Sequence, residues 1–488
     1  MQDAATRIAQ LERELAEKVE QLEQQRVTLE QQHVQLEQQR EQIEQLKELV
    51  AELRQQLGRN SSNSSLPPSR DSRETREKIR SNRKKSKKKR KRGGQPGHRG
   101  STRQLLPSEQ VDHITNLFPS QCENCWLELP QIPDEHAQRY QVTELPPIKA
   151  ETTEFRQHAV GCTCGHITRA ALPTEVAASP FGPRLSSIVA TLTGVYHLSR
   201  RQAKKMLSDL FGIEISLGAI SAIESRVSDA LAPAWQQAFD SVQDAQIKHA
   251  DGTSWRQGGK ALQLWVVATM LATVFMVVAD GSKSSMRLVL SKLKGVLISD
   301  RAKALNFWVM KRRQICWAHL LRKFVSFSER DGPASGYGKQ MLQYTGIVFE
   351  MYYAYKEAKI TRTEFRRRMQ PVREQFEALL QRAVDANIKG LSGSCADMLY
   401  HREALWAFVD RIGIEPTNNH AEQQLRAFVL WRKRSFGTQS ERGNRFAERI
   451  MTVVHTARKQ NRDVLSYLTA VCEASRTGQQ PPLLLASG

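Results

Sequence analysis

Residues 246–251, QIKHAD, residues 261–279, ALQLWVVATMLATVFMVVA, and residues 295–300, GVLISD, decide the fold of this chain. The middle stretch has no charge in 19 residues, and its length alone would allow a membrane span. Its β-branched content and its two halves, LQLWVVAT and TVFMVVAD, read instead as two buried strands of one sheet. A span would also put the flanking segments on opposite sides of a bilayer, so no membrane partner is expected. QIKHAD reads as a short strand closing on Asp251. SSMRLVLSKL (284–293) has a helical pattern, and GVLISD is a further strand ending on Asp300, with a helix expected over Arg301 to Phe307. Strands, helix and strand in this order, with an acid at two strand ends, match an RNase H-like α/β sheet. Strand ends gather side chains at one edge of a sheet. Two carboxylates meeting there repel unless divalent cations neutralise them, which is the design of a two-metal phosphoryl-transfer site.

A third acid completes such a site, and Glu422 is the candidate. It lies in NNHAEQQLR (418–426), behind the start signal Pro416-Thr417-Asn418, and so falls in the first turn of a helix. From Glu422 to Asp463, ten Lys and Arg stand against four acids; Arg426, Arg432, Lys433 and Arg434 are assigned to DNA. A carboxylate holding Mg²⁺ beside a cationic surface suits a phosphodiester substrate. Spacing alone reads Glu422 equally well as an acid favoured by the helix dipole.

The charge balance points the same way. In 488 residues, 72 Lys and Arg against 51 Asp and Glu give a net charge of +21. That excludes a typical acidic metabolic enzyme and calls for a polyanionic partner, nucleic acid first. Arg70 to Arg103 holds 16 basic and 3 acidic residues. Within it, Arg83, Lys84, Lys85, Lys87, Lys88, Lys89, Arg90, Lys91 and Arg92 make nine basic residues in ten. Such a run buries no core, so it is expected to stay disordered until it meets phosphates, and to bind DNA without sequence preference. Seven cysteines in a chain of this length exclude a disulfide scaffold. The Gln- and Glu-rich N-terminus has no apolar signal core, so a cytoplasmic, nucleoid-associated protein is expected.

Residues 8–57 carry a seven-residue repeat: Ile8, Leu15, Leu22, Leu29, Leu36, Ile43, Val50 and Leu57. A strict period of seven predicts a left-handed coiled coil, and hence a homo-oligomer, although the central d positions are Lys18, Gln25, Gln32 and Gln39. NSSNSSLPPS (60–69) has the composition of a linker. Cys122 and Cys125 form a C-x-x-C pair, and Cys162 and Cys164 a C-x-C pair. Thiolates so spaced can converge on one structural Zn²⁺, with His158 or His166 as alternatives to one sulfur. Residues 196–225 read as a candidate helix-turn-helix. Ser199 to Gln202 is a capping box, Phe211 to Ile213 a turn, and Ser216 or Ser221 a second helix start.

GGQPGHRG (93–100), CWAH (316–319, followed by Arg322-Lys323-Phe324) and NNHAE running on to WRKRSFG (431–437) carry a resemblance. Over nearly its whole length the chain resembles transposases of the insertion-sequence 66 family. The resemblance implies a DDE recombinase with Asp251, Asp300 and Glu422 as its metal-binding triad and two catalytic Mg²⁺. Asp251 would bridge both ions, while Asp300 and Glu422 each complete one. The implied reaction cleaves the ends of the element in double-stranded DNA and joins the 3′-hydroxyl to target DNA, with no covalent protein intermediate. Accessory proteins of the same element are further candidate partners. Cys316 and His319 match a C-x-x-H pair of related transposases and are candidates for a place beside the site; a buried Cys with a hydrogen-bonded His is the plainer reading. The chain departs from the family pattern at Gly252, at Arg301 and in the C-x-C spacing.

The expected organisation is multidomain. A coiled coil (1–58), a linker with the basic run (59–104), a zinc-binding module (105–175) and a helical segment (176–240) come first. The RNase H-like core (241–330) follows, interrupted by an all-helical insertion (331–410), and then its last helix (411–450) and C-terminal helices (451–488). The alternative functions are a non-catalytic DNA-binding regulator or an inactive transposase descendant.

Overall fold

The computed structural model describes residues 103–177 and 179–485, together with Lys18, Arg26, residues 35–43 and Leu46, which are helical. The heptad seam as a whole, the 60–69 linker, the basic run at 83–92 and GGQPGHRG lie outside the described residues. The chain divides into two compact units, one containing Ala318–Leu399 and the other Arg83–Trp317 together with Tyr400–Gly488.

The larger unit begins with a small exposed antiparallel pair, β1 (Ala159–Gly161) and β2 (Ile167–Arg169). Four helices follow: α1 (Pro183–Ala190), α2 (Arg200–Phe211), α3 (Leu217–Ala230) and α4 (Ala232–Asp244). The capping box forms as expected. The Ser199 side chain accepts from Gln202 N–H, and the Gln202 side chain accepts from Ser199 N–H at 3.0 Å. Gly212 ends α2 at φ +62°, and Ser216, not Ser221, caps α3.

A five-stranded mixed sheet forms the centre of this unit: β3 (Ile247–Gln257), β4 (Lys260–Ala268), β5 (Thr273–Val278), β6 (Val296–Ser299) and β7 (Arg313–Ile315), in the order β5-β4-β3-β6-β7. The first three are antiparallel, and β6 and β7 run parallel to β3. Gly258 and Gly259, at φ +53° and +86°, make the tight turn between β3 and β4, a conformation that matches strand twist and that glycine adopts at little cost. The charge-free stretch at 261–279 is thus a pair of neighbouring strands. No helix of the described residues is long and apolar enough to cross a membrane.

The longer helices that follow are α5 (Lys283–Val289), α6 (Trp317–Ser328), α7 (Pro333–Lys356), α8 (Arg362–Asp385), α9 (Ser392–Tyr400), α10 (Asn419–Ser435), α11 (Glu441–Lys459) and α12 (Val464–Thr477), with single turns at Arg402–Leu405 and Ala407–Asp410. Helix α10 lies on β3 and β4. Its Phe428 and Trp431 rings stack at 5.6 Å and meet Trp255 edge-on at 5.4 and 6.3 Å. Helix α11 closes the β5 edge. Thr273, Phe275 and Val277 donate their backbone N–H groups to Thr456 Oγ1 (3.1 Å), Thr452 Oγ1 (3.0 Å) and Glu448 Oε1 (2.5 Å). Two strand residues advance about 6.8 Å and four helix residues about 6.0 Å, so the two rows stay in step. An edge satisfied in this way cannot recruit another strand.

In the smaller unit, α7 and α8 pack as a helical hairpin joined by residues 357–361. Phe324 and Tyr344 meet Phe376 edge-on at 5.9 and 6.0 Å. A Cβ at Gly338 would lie 2.3 Å from the Ser328 nitrogen, so glycine is what lets α7 approach the end of α6.

Two local expectations are corrected. Asp251 does not close its strand: β3 runs six residues further, paired with β4 along its length and bridged to Thr438 at its end. Arg301 to Phe307 is not a helix but holds one 3-10 turn, Lys303–Leu305, because its backbone is held by Arg313 and its own acid, described next.

Candidate active site

The parallel register of β3 and β6 runs from Ile247↔Val296 to His249↔Ile298. Carried two residues further, it sets Asp251 beside Asp300. Strand β6 stops at Ser299 while β3 continues, so both acids stand where the sheet narrows, and both are half-buried. Asp251 Oδ1 accepts from Gly252 N–H at 2.9 Å, and Asp300 Oδ1 from Ala302 N–H at 3.0 Å. The fully buried Arg313, on β7, shapes the chain around Asp300. Its guanidinium donates to the Asp300 carbonyl (2.9 Å), the Ala302 carbonyl (3.3 Å) and Asn306 Oδ1 (2.9 Å).

Glu422 lies in the first turn of α10, as expected. Asn418, at the N-cap, does not cap the helix with its side chain. That side chain is fully buried and points to β3, where Nδ2 donates to the Ala250 carbonyl at 2.8 Å and Oδ1 lies 3.3 Å from His249 Nδ1. Its backbone N–H donates to the Cys316 sulfur at 3.2 Å, and Cys316 N–H donates to the Ser299 carbonyl at 2.9 Å. One asparagine therefore joins the residue before Asp251, the chain after β7 and the helix that carries Glu422.

Two histidines fill the space behind it. His249 and His420 rings lie 5.1 Å apart, and His420 Nε2 is 2.9 Å from the Thr269 carbonyl and 2.9 Å from Lys459 Nζ. Burial, with His420 nearby, pushes His249 down to about 4, and burial also lowers His420. Lys459 is pulled down to about 8 by burial and donates to the Thr269 and Ala272 carbonyls.

A carboxylate oxygen of Glu422 lies within 4.8 Å of the Cys316 sulfur, and His319, three residues after Cys316, is half-buried. Among the described residues, Asp251 and Asp300 belong to no such close set. A thiol beside a carboxylate is a softer donor pair than carboxylates alone, which are the hard ligands that suit Mg²⁺.

A family model described as Transposase IS66 family matches residues 178–446, more than half of the chain. The chain belongs to this family. A second model, a family of unknown function (DUF6444), matches residues 1–104 of the transposase. A search of curated proteins returned no match.

In this IS66-family transposase the two cysteine pairs form two separate turns. Trp126 N–H donates to the Cys122 carbonyl and Gly165 N–H to the Cys162 carbonyl, both at 2.9 Å. The backbone N–H groups of Asn124 and Cys125 face the Cys122 sulfur and lower its pKa below the usual thiol value; that of Cys164 does the same for Cys162. Among the described residues, no three of these four sulfurs lie within 4.8 Å of one another. Of the cations assigned to DNA on α10, Arg426, Lys433 and Arg434 are exposed. Arg432 is half-buried and donates to Thr253 Oγ1 (2.9 Å) and Ser254 Oγ (2.6 Å) on β3. Sequence reasoning passed over Asn418, Arg313 and the His249–His420 pair. The doubled Asn of NNHAE was the available signal, since an N-cap position needs only one.

Proposed function

We propose that this transposase is an RNase H-like DDE enzyme that cleaves the ends of its element and joins them to target DNA. The observation that carries the reading is the β3–β6 register, which ends at His249↔Ile298, two residues before Asp251 and Asp300, with the Glu422 helix tied to the neighbouring Ala250 by Asn418. The strand order β5-β4-β3-β6-β7, three strands antiparallel and two parallel, supports the RNase H-like assignment.

Asp251 on β3, Asp300 after β6 and Glu422 on α10 are the carboxylates that would hold two Mg²⁺, hard ligands for a hard cation. When bound, such ions activate the attacking oxygen and stabilise the leaving 3′-oxygen. The chain's own residues do the rest. Arg313 and Asn418 fix the backbones that carry the acids, while exposed Arg426, Lys433 and Arg434, strung along α10 from its first turns to its C-terminal end, hold DNA phosphates. The four thiols of Cys122, Cys125, Cys162 and Cys164 would hold one structural Zn²⁺ if the two turns that carry them came together, a reading supported by N–H groups that face the first sulfur of each pair. The heptad segment joins protomers, and the basic run adds affinity without sequence preference.

The test is cleavage of DNA carrying both element ends in the presence of Mg²⁺. Asp251→Asn, Asp300→Asn and Glu422→Gln should each abolish cleavage while DNA binding stays near the parent level, because amides keep the shape and lose the charge. Full cleavage by any one of them removes that residue from the site, and loss of DNA binding would make its role structural.

A further inference from the structure

We propose that Phe436, at the C-terminal end of α10, stacks on an unpaired base of bound DNA while Lys433 and Arg434 hold the neighbouring phosphates. The inference rests on the reading of DNA as the substrate and adds a place where bases are gripped.

Phe436 is 78% exposed and ends the helix in the left-handed conformation, at φ +60° and ψ +10°. Glycine or asparagine ends helices this way with little strain, whereas a bulky side chain does so at a cost, and such strain collects at functional positions. The backbone on both sides is held. Phe436 N–H donates to the Arg432 carbonyl at 2.8 Å, and Ser435 Oγ donates to the Trp431 carbonyl at 3.1 Å. On the other side, Thr438 N–H donates to the Arg256 carbonyl and Gly258 N–H to the Thr438 carbonyl, both at 2.9 Å. A Cβ at Gly437 would lie 2.1 Å from the Arg256 oxygen, so the chain after the ring is pressed onto the β3–β4 turn. The backbone that presents the ring is thus held on both sides.

The same corner holds a second residue of this kind. His197 has φ +57°, and its ring stacks on Trp431 at 4.6 Å. Next to it, Tyr196 is 57% exposed, and its carbonyl accepts from Arg434 Nη1 at 3.4 Å. Two exposed aromatic residues therefore flank Arg434, with Lys433, Arg256 and Lys260 also exposed on these segments.

Cations draw a polyanion to the corner, and a flat ring offers what a base face accepts. Paired bases hide their faces, so the partner is a base already unstacked or unpaired. Phe436 lies fourteen residues beyond Glu422, about 21 Å along the helix at ~1.5 Å per residue, or about six base steps. The gripped base is therefore flanking DNA and not the cleaved phosphodiester.

The full-length protein, without added Mg²⁺, is titrated with a duplex and with the same duplex carrying a short mismatched bubble that contains 2-aminopurine. The parent should prefer the bubble by about tenfold and change the fluorophore's emission, given the usual worth of one base–aromatic stack. Phe436→Ala and Phe436→Leu should lose both the preference and the emission change while binding the plain duplex within about twofold of the parent. Phe436→Trp should keep both. The double change Lys433→Ala, Arg434→Ala should weaken both DNAs together. Preference and emission change surviving in Phe436→Leu overturn the stacking role while DNA remains the substrate. A parent that binds neither DNA overturns the functional reading itself.

Discussion

Asn418 donates its side-chain amide to the carbonyl of Ala250 at 2.8 Å, across 168 residues of sequence and one residue before Asp251. The same residue starts the helix that carries Glu422, so the separation of those two acids depends on this bond.

Asn418→Ala should lower unfolding stability by about 1–3 kcal/mol, because it leaves the buried Ala250 carbonyl without its amide donor. The loss of cleavage should exceed what the unfolded fraction explains, and half-saturation with Mg²⁺ should move to higher concentration. Urea unfolding and a Mg²⁺ titration of cleavage read the two effects separately. Unchanged Mg²⁺ dependence in a folded variant would limit Asn418 to holding the fold.

Glu448 should make stability depend on pH near neutrality. Burial pushes its carboxyl up to about 7, against the opposing pull of the Val277 N–H. In the unfolded chain the group ionises near the ordinary value of about 4.3. Between these values the folded protein holds a proton that the unfolded chain has lost, so this contribution is full below the lower value and falls as pH rises towards 7. Glu448→Gln keeps an acceptor for Val277 and cannot ionise. The variant should gain on the order of 2 kcal/mol relative to the parent at pH 8 and little at pH 4. Thermal unfolding of both proteins across that range checks it; parallel curves would mean the Glu448 carboxyl titrates normally.

Changing Cys122 and Cys162 to Ser should remove about one equivalent of zinc per chain from protein expressed in zinc-supplemented medium. Elemental analysis of the full-length variant, compared with Cys316→Ser, separates these thiols from the Cys316 sulfur beside Glu422. Equal zinc in the parent and in the Cys122/Cys162 variant would leave both pairs as plain thiols.

Local pattern carried far in this chain. The two β-branched runs of 261–279 are β4 and β5, Ser199 and Gln202 cap α2, and Pro416 to Asn418 opens α10, because each depends only on residues within a few positions. Propensity, side-chain period and capping are properties of neighbours along the chain. Family membership was legible for a similar reason, since CWAH and NNHAE are short and contiguous.

What only the tertiary structure decided is which distant segments became partners. QIKHAD reads as a short strand closing on Asp251, yet pairing with β4 carries β3 through Gly252 to Gln257. Arg432 reads as one more DNA-facing cation, yet the contact of α10 with β3 turns its guanidinium to Thr253 and Ser254. Glu448, Thr452 and Thr456 read as unremarkable helix residues until β5 is laid beside them. The local period sets which face a residue occupies. The free energy of burying that face depends on the element packed against it, and that partner comes from anywhere in the chain.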